Sequence, residues 1–336
     1  MDRGFVERTL RLGPGARLVG TLTEPSSGAT GSDRPALLIL NTGATPRSGP
    51  GRAAVELARK LAALGVRSLR LDLGGLGDSA PGPGERAVDI YRRAALAEVR
   101  AAVDLLARRG SDTVVAMGVC SGAFMAFHAA LADPRLVGLV LVNLPRFSWR
   151  PFHPLVFVRT RTLLALLGRP ATWWRALFGR GELLPALRVL AERLGARLVA
   201  RLPGPLRRAA WAASAPGRQL HALLRRGVRL LVVCAAEDPA SATLDRLLGL
   251  ARGPVPEGGL EIRVVAGASH TFADPGSRSL LLQLVRSHLD RHWPGRSGAT
   301  GTARPAFATT RALGAAGPIA PPVARAGEHA ATGGVR

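Results

Sequence analysis

Lysine is nearly missing from this 336-residue chain, Lys60 being the only one, although the formal net charge is +23. The positive charge is therefore carried by arginine. These arginines are spread along a chain rich in Ala, Gly and Pro, as GC-rich coding produces, rather than gathered into one basic patch. Aromatics are scarce, with Tyr91 the sole tyrosine and 9 phenylalanines, so the platforms on which bases stack are lacking. Together these features exclude nucleic acid as the expected partner. Cysteine is scarce too. Cys120 and Cys234 stand far apart, which gives neither a disulfide framework nor a metal-ligand cluster and fits a reducing cytoplasm. No metal and no cofactor are expected. No apolar run approaches the roughly 18 residues needed to span a bilayer. The segment after Met1 has no apolar core of a secretory leader, so a cytoplasmic location is expected.

What is present is 47% hydrophobic residues, enough for a sizeable core. Phe5 to Thr23 alternates around Gly13-Pro14-Gly15, which predicts a β-hairpin. Short apolar runs at 36–40, 66–73, 113–119, 136–142, 228–235 and 260–265 predict strands. Helical patterns at 53–64, 85–109 and 121–132 fall between the earlier ones. Alternation of this kind predicts an α/β fold, a mostly parallel sheet with helices on both faces. From residue 145 to 226 it gives way to leucines at helical spacing, with Leu187, Leu190, Leu194 and Leu198 on one face. The expected organisation is a core in two parts, 1–144 and 227–293, interrupted by a helical cap at 145–226 that packs its leucines inward. A tail at 294–336, dominated by Gly, Ala, Thr, Pro and Arg, lacks periodicity and is expected to be disordered. A basic amphipathic cap also allows peripheral contact with a membrane.

Chemistry concentrates at Gly118-Val119-Cys120-Ser121-Gly122, where an apolar strand runs straight into a helix. A sharp strand-to-helix turn strains its central residue and needs glycines on either side, because side chains there would collide with strand and helix. Cys120 is thus the candidate nucleophile. At a helix N-terminus its thiolate is expected to be favoured. Ser121 sits one residue off the centre and offers a backbone N–H. Cys234, inside Leu230-Leu231-Val232-Val233, reads as core. Asp238 follows the strand ending at Ala235 and His270 follows the last strand, in the order nucleophile, acid, histidine. Both lie past the C-terminal ends of strands, where parallel sheets place their sites. Glu237 and Asp245 compete with Asp238 for the role of orienting the imidazole. The second oxyanion N–H is assigned to Gly43, with Thr42 and Ala44 as neighbours, while Asp72 and Asp78 read as turn residues.

Asn41-Thr42-Gly43, Leu71-Asp72-Leu73, Gly75-Leu76-Gly77-Asp78-Ser79, the turn at Cys120, Asn143-Leu144-Pro145-Arg146 and Ser269-His270-Thr271 together resemble bacterial α/β hydrolases. The likeness is to the serine aminopeptidase-like and exosortase-associated branch and spans roughly residues 5 to 292. It implies an α/β-hydrolase fold with a helical cap insertion and a Cys120-His270-Asp238 triad. Dienelactone hydrolases, which use a Cys-His-Asp set, imply that a cysteine at this turn is a working residue.

The expected activity is cleavage of an ester or thioester through a covalent acyl-enzyme, with Gly43 and Ser121 holding the oxyanion. The substrate would be a small-molecule acyl compound, free or carrier-bound. The alternatives are an acyltransferase using the same triad and a noncatalytic binding protein of the same fold. Substrate identity and oligomeric state are not encoded in any motif.

Overall fold

The computed structural model describes residues 4–26, 34–84, 89–149, 160–177, 183–238 and 258–295. The alternative acid Asp245 and the tail from 296 lie outside them, as does the start of the helix expected at 85.

Eight strands form one sheet: β1 (Phe5–Leu12), β2 (Leu18–Pro25), β3 (Ala36–Ile39), β4 (Ser68–Asp72), β5 (Val114–Val119), β6 (Leu136–Val142), β7 (Arg229–Ala235) and β8 (Leu260–Val265). Their order is β1-β2-β4-β3-β5-β6-β7-β8. The hairpin β1/β2 pairs antiparallel and joins β4 antiparallel, and every pairing from β4 to β8 is parallel. This is the mostly parallel sheet that the alternation predicts, as the resemblance to α/β hydrolases implies. β3 and β5 are buried at every position, as central strands covered on both faces must be.

Four helices accompany the sheet: α1 (Ala53–Ala62), α2 (Ala95–Arg108), α3 (Ser121–Ala132) and, near the end of the chain, α9 (Pro275–His292). α3 is buried from Ser121 to Ala130, so its apolar residues run around the whole cylinder and it shows no polar face. α9 starts at Asp274, whose carboxylate accepts the Ser277 N–H at 2.8 Å, with Pro275 preset for the first turn. α2 begins at Ala95, ten residues later than the sequence pattern predicts. Residues before it are held by Arg92, which turns inward to bond Glu98 at 2.5 Å and the Gly74 carbonyl at 2.9 Å. A helix running through Arg92 would have to give up these buried bonds.

The chain divides into two compact units, one made of residues up to Phe147 and from Gln219 onward, the other Ser148–Arg218. The second holds α4 (Thr160–Leu167), α5 (Pro170–Leu177), α6 (Leu183–Arg201) and α7 (Gly204–Ala212). The helix after them, α8 (Ala215–Arg225), belongs mostly to the first unit, where Leu220, Leu223 and Leu224 are buried. In the second unit Ala186 and Val189 of α6 form a small core with Leu166 and Leu167. Leu187, Leu194 and Leu198, expected to pack inward, are exposed, because α6 turns the opposite face to its neighbours. Among the described residues, no helix is long and apolar enough to cross a membrane.

The tightest packing lies where β5 meets α3. A Cβ on Gly118 would stand 2.2 Å from the Gly122 carbonyl carbon, and one on Gly122 would stand 2.5 Å from the Asn41 carbonyl oxygen. Both contacts are backbone, so nothing flexible can yield. Gly122→Ala is expected to lower the unfolding free energy by about 3 kcal/mol in urea titrations. A loss below about 0.5 kcal/mol would contradict this packing.

Candidate active site

Cys120 has φ 55 and ψ −112 at the cap of α3, a backbone region that side chains rarely occupy. Its amide is tied to β6 through the Val142 carbonyl at 2.9 Å, and its carbonyl starts α3 by accepting the Phe124 N–H at 3.1 Å. The strained turn thus fixes the thiol at the C-terminal edge of the sheet. The sulfur is partly accessible and accepts the Ser121 N–H and the Tyr91 hydroxyl. Burial nevertheless raises the thiol pKa above its ordinary value, outweighing those two bonds, and the charge of Asp238 adds to the rise. Burial thus works against the thiolate that a helix N-terminus is expected to favour. Cys234 is buried, its pKa pushed up to about 12 by burial, as suits an inert core cysteine.

Asp238 and His270 come together across β7 and β8. The His270 Nδ1 meets Asp238 Oδ2 in a short contact, with the carboxylate buried and the imidazole about half exposed. That contact directs Nε2 away from the acid, as a triad base requires. Glu237, the described competitor for Asp238, is exposed. The His270 turn is held from below by Phe272, fully buried at φ 52, and from the side by Asn143. Asn143 also has positive φ, at 46; it donates to the His270 carbonyl at 2.7 Å and accepts from the Ala235 N–H at 2.8 Å. One buried amide thereby couples the ends of β6 and β7 to the histidine loop.

Gly43 approaches the elbow, but its N–H is engaged: it donates to the Ser121 Oγ at 2.8 Å. The Gly43 N–H therefore meets the Ser121 hydroxyl rather than open space. Asp72 and Asp78 are structural, as expected. Asp72 is fully buried and accepts from Asn41 at 2.9 Å and from Arg47, which also pairs with Asp78 at 2.6 Å.

Two residues at the site are given no role by the sequence, Arg146 entering it only as part of the motif at Asn143. Tyr91 precedes α2 and reaches the Cys120 sulfur, while the Arg146 guanidinium lies 4.3 Å from the Tyr91 ring centroid and 5.3 Å from that of Phe124. Burial, and then the nearby thiol, raise the Tyr91 pKa, so its hydroxyl stays a donor. Among the described residues no hydrogen bond joins Cys120 to His270; the thiol is held by Tyr91 instead.

An apolar recess opens among the ends of β3 and β5 and the helices α1 and α9. Its walls include Thr42, Gly118, Val119 and Thr271, the chain neighbours of Gly43, Cys120 and His270, but not Cys120, Asp238 or His270 themselves. Elsewhere, Glu261, His288 and His292 bring one donor atom each within 4.8 Å of one another. Arg263 and Arg291 already occupy Glu261, each at 2.6 Å, and burial, then the charges of His288, Arg229 and Arg291, hold the His292 pKa down to about 4. A cation would meet net positive surroundings, so this cluster reads as a knot between α9 and β8.

A positive-φ residue between glycines at the end of the central strand, with an Asp–His pair on later loops of the same sheet edge, defines the site of an α/β hydrolase. The profile of the Alpha/beta hydrolase family matches residues 44–278, more than half of the sequence, and the chain belongs to that family. An esterase of Pyrococcus furiosus is structurally similar, with TM-score 0.52 and 14% identity, over 88% of this chain and 94% of its own. A hypothetical protein of Pseudomonas aeruginosa aligns with TM-score 0.50 and 16% identity, over 86% of this chain and 93% of its own. An α/β serine hydrolase without lid from Xanthomonas campestris aligns at TM-score 0.47 and 16% identity, over 87% and 96%. No curated protein matches the sequence significantly.

Because burial raises the thiol pKa, alkylation of Cys120 by iodoacetamide should be slow at neutral pH. Its rate should still be climbing at the pH where an ordinary cysteine has levelled off. Tyr91→Phe removes a donor to the thiolate and should slow alkylation several-fold at fixed pH, by about 0.5–1 kcal/mol of lost hydrogen bond. A rate that plateaus below pH 7 would show instead a resting thiolate paired with imidazolium.

Proposed function

We propose that the protein cleaves acyl esters or thioesters, with Cys120 as nucleophile, His270 as base and Asp238 as the residue that orients it. The observation that carries this reading is the Asp238–His270 pair at the same sheet edge as a cysteine held at positive φ in the elbow. The raised thiol pKa means that attack requires a base, and His270 is the described imidazole whose other nitrogen is fixed on a buried carboxylate.

In the first step the Cys120 proton passes to His270 Nε2 as the sulfur bonds to the carbonyl carbon. The carbonyl electron pair moves onto oxygen, which displaces the Ser121 hydroxyl and takes the N–H groups of Gly43 and Ser121. Collapse breaks the bond to the leaving alkoxide or thiolate, which accepts the proton from His270. Water then attacks the acyl-cysteine with His270 again as base, releasing the acid and restoring the thiol. A thiolate is itself a good leaving group, so amides would return to substrate. This favours thioesters and activated esters over peptides, and no peptidase activity is proposed despite the aminopeptidase-like branch that the sequence resembles. The recess beside Thr42, Val119 and Thr271 suits an apolar acyl group.

A panel of acyl thioesters and aryl esters tests this reading. Cys120→Ala and His270→Ala should each lower kcat/KM by at least about a thousandfold with folding unchanged. Turnover surviving Cys120→Ala would overturn it. Ser121→Ala, which only empties the position the oxyanion needs, should be at least as active as the parent. A hundredfold loss in that variant would mean that the hydroxyl itself holds the oxyanion.

A further inference from the structure

Among the described residues, nine of the eleven exposed large hydrophobics fall between Leu164 and Leu206, in the unit Ser148–Arg218. The other two, Val6 and Leu64, are isolated. On α6 the exposed leucines fall at 184, 187, 194 and 198, with exposed Ala191 continuing the row. Spacings of three and four place them on one stripe along the helix. Leu184 is 77% exposed, and on α5 Trp173 and Trp174 are 50% and 65% exposed. A stripe of this kind on a water-facing helix is unfavourable unless something covers it.

The charge around it is one-sided. From Ser148 to Arg218 the sequence carries thirteen arginines against two glutamates, with no aspartate and no lysine. Arg188 and Arg201 are exposed on α6 beside the leucine stripe. Exposed leucine and tryptophan together with arginine, on helices too short or too polar to span, is the pattern of a helix lying in the plane of a bilayer surface. Leucines enter the acyl boundary, tryptophans settle at headgroup level, and long arginine stems reach back to lipid phosphates. A second copy of this chain would bring the same excess of arginine against itself.

We propose that the exposed face of α6 and its neighbouring helices docks the protein on an anionic lipid bilayer. Docking would keep the enzyme at the source of an acyl substrate too apolar to be abundant in water.

Cosedimentation of the full chain with vesicles tests the proposal. Vesicles of equal parts phosphatidylcholine and phosphatidylglycerol should retain the protein, with affinity falling as salt is raised, while phosphatidylcholine alone should bind at least about tenfold more weakly. Leu194→Gln with Leu198→Gln should weaken binding by about tenfold or more, since each leucine would otherwise be buried in lipid. Arg188→Gln with Arg201→Gln should weaken it by about tenfold. Glutamine keeps helix propensity at exposed positions, and Leu184→Gln, at the most exposed leucine, gives an independent variant if the pair misfolds. Binding that ignores lipid charge, or that the leucine variants leave intact, overturns the proposal. So does light scattering that shows a dimer dissociated by those same variants.

Discussion

The close approach of the α3 N-terminus to the ends of β3 and β5 is the constraint on which the site depends. Gly118 and Gly122 carry no Cβ because the backbone of the opposing segment already fills that space. Their contact forces Cys120 into positive φ and turns its sulfur out of the sheet. The cost of that backbone, of order 1–3 kcal/mol, is offset by the buried surroundings that surround the turn on every side. A looser elbow would let the thiol relax into the core, as Cys234 does.

Everything else at the site is arranged relative to that fixed sulfur. Asn143 sets the His270 loop, and the Asp238 carboxylate sets the imidazole. The Asp72 network with Asn41 and Arg47 holds the loop that carries Gly43. In the proposed reaction the nucleophile is a thiol whose pKa burial raises, Tyr91 donates to it, and the Ser121 hydroxyl that accepts from Gly43 fills the oxyanion position. Substrate has to change both contacts. The site therefore rests in a satisfied, hydrogen-bonded state, and its chemistry starts by exchanging protein contacts for contacts with the acyl group.

The sequence disclosed what is local. The elbow, the strand that feeds it and the loops bearing Asp238 and His270 are each written within a few consecutive residues, so motif and periodicity reveal them. The alternation of strand and helix discloses a mostly parallel sheet but not its order, in which β3 lies between β4 and β5 and the hairpin pairs onto β4. The contact of Tyr91 and the role of Asn143, which the sequence offers only as part of a motif, are not legible there. Tyr91 meets a residue 29 positions away only because Arg92 pins the segment before α2, and Asn143 meets His270 across 127 positions. The Ser121 contact with Gly43 likewise depends on how two loops close. Burial raises the thiol pKa, which the position of Cys120 at a helix N-terminus does not disclose. On α6, leucine spacing disclosed a stripe but not which side of the helix faces water.

The central claim is that Cys120 becomes covalently acylated. Mixing the protein with a slowly hydrolysed acyl thioester and quenching in acid should reveal, by intact mass and peptide mapping, one acyl group on Cys120 that disappears as product forms. An acyl group on Ser121, or full turnover with no acylated protein in rapid-quench samples, would contradict it.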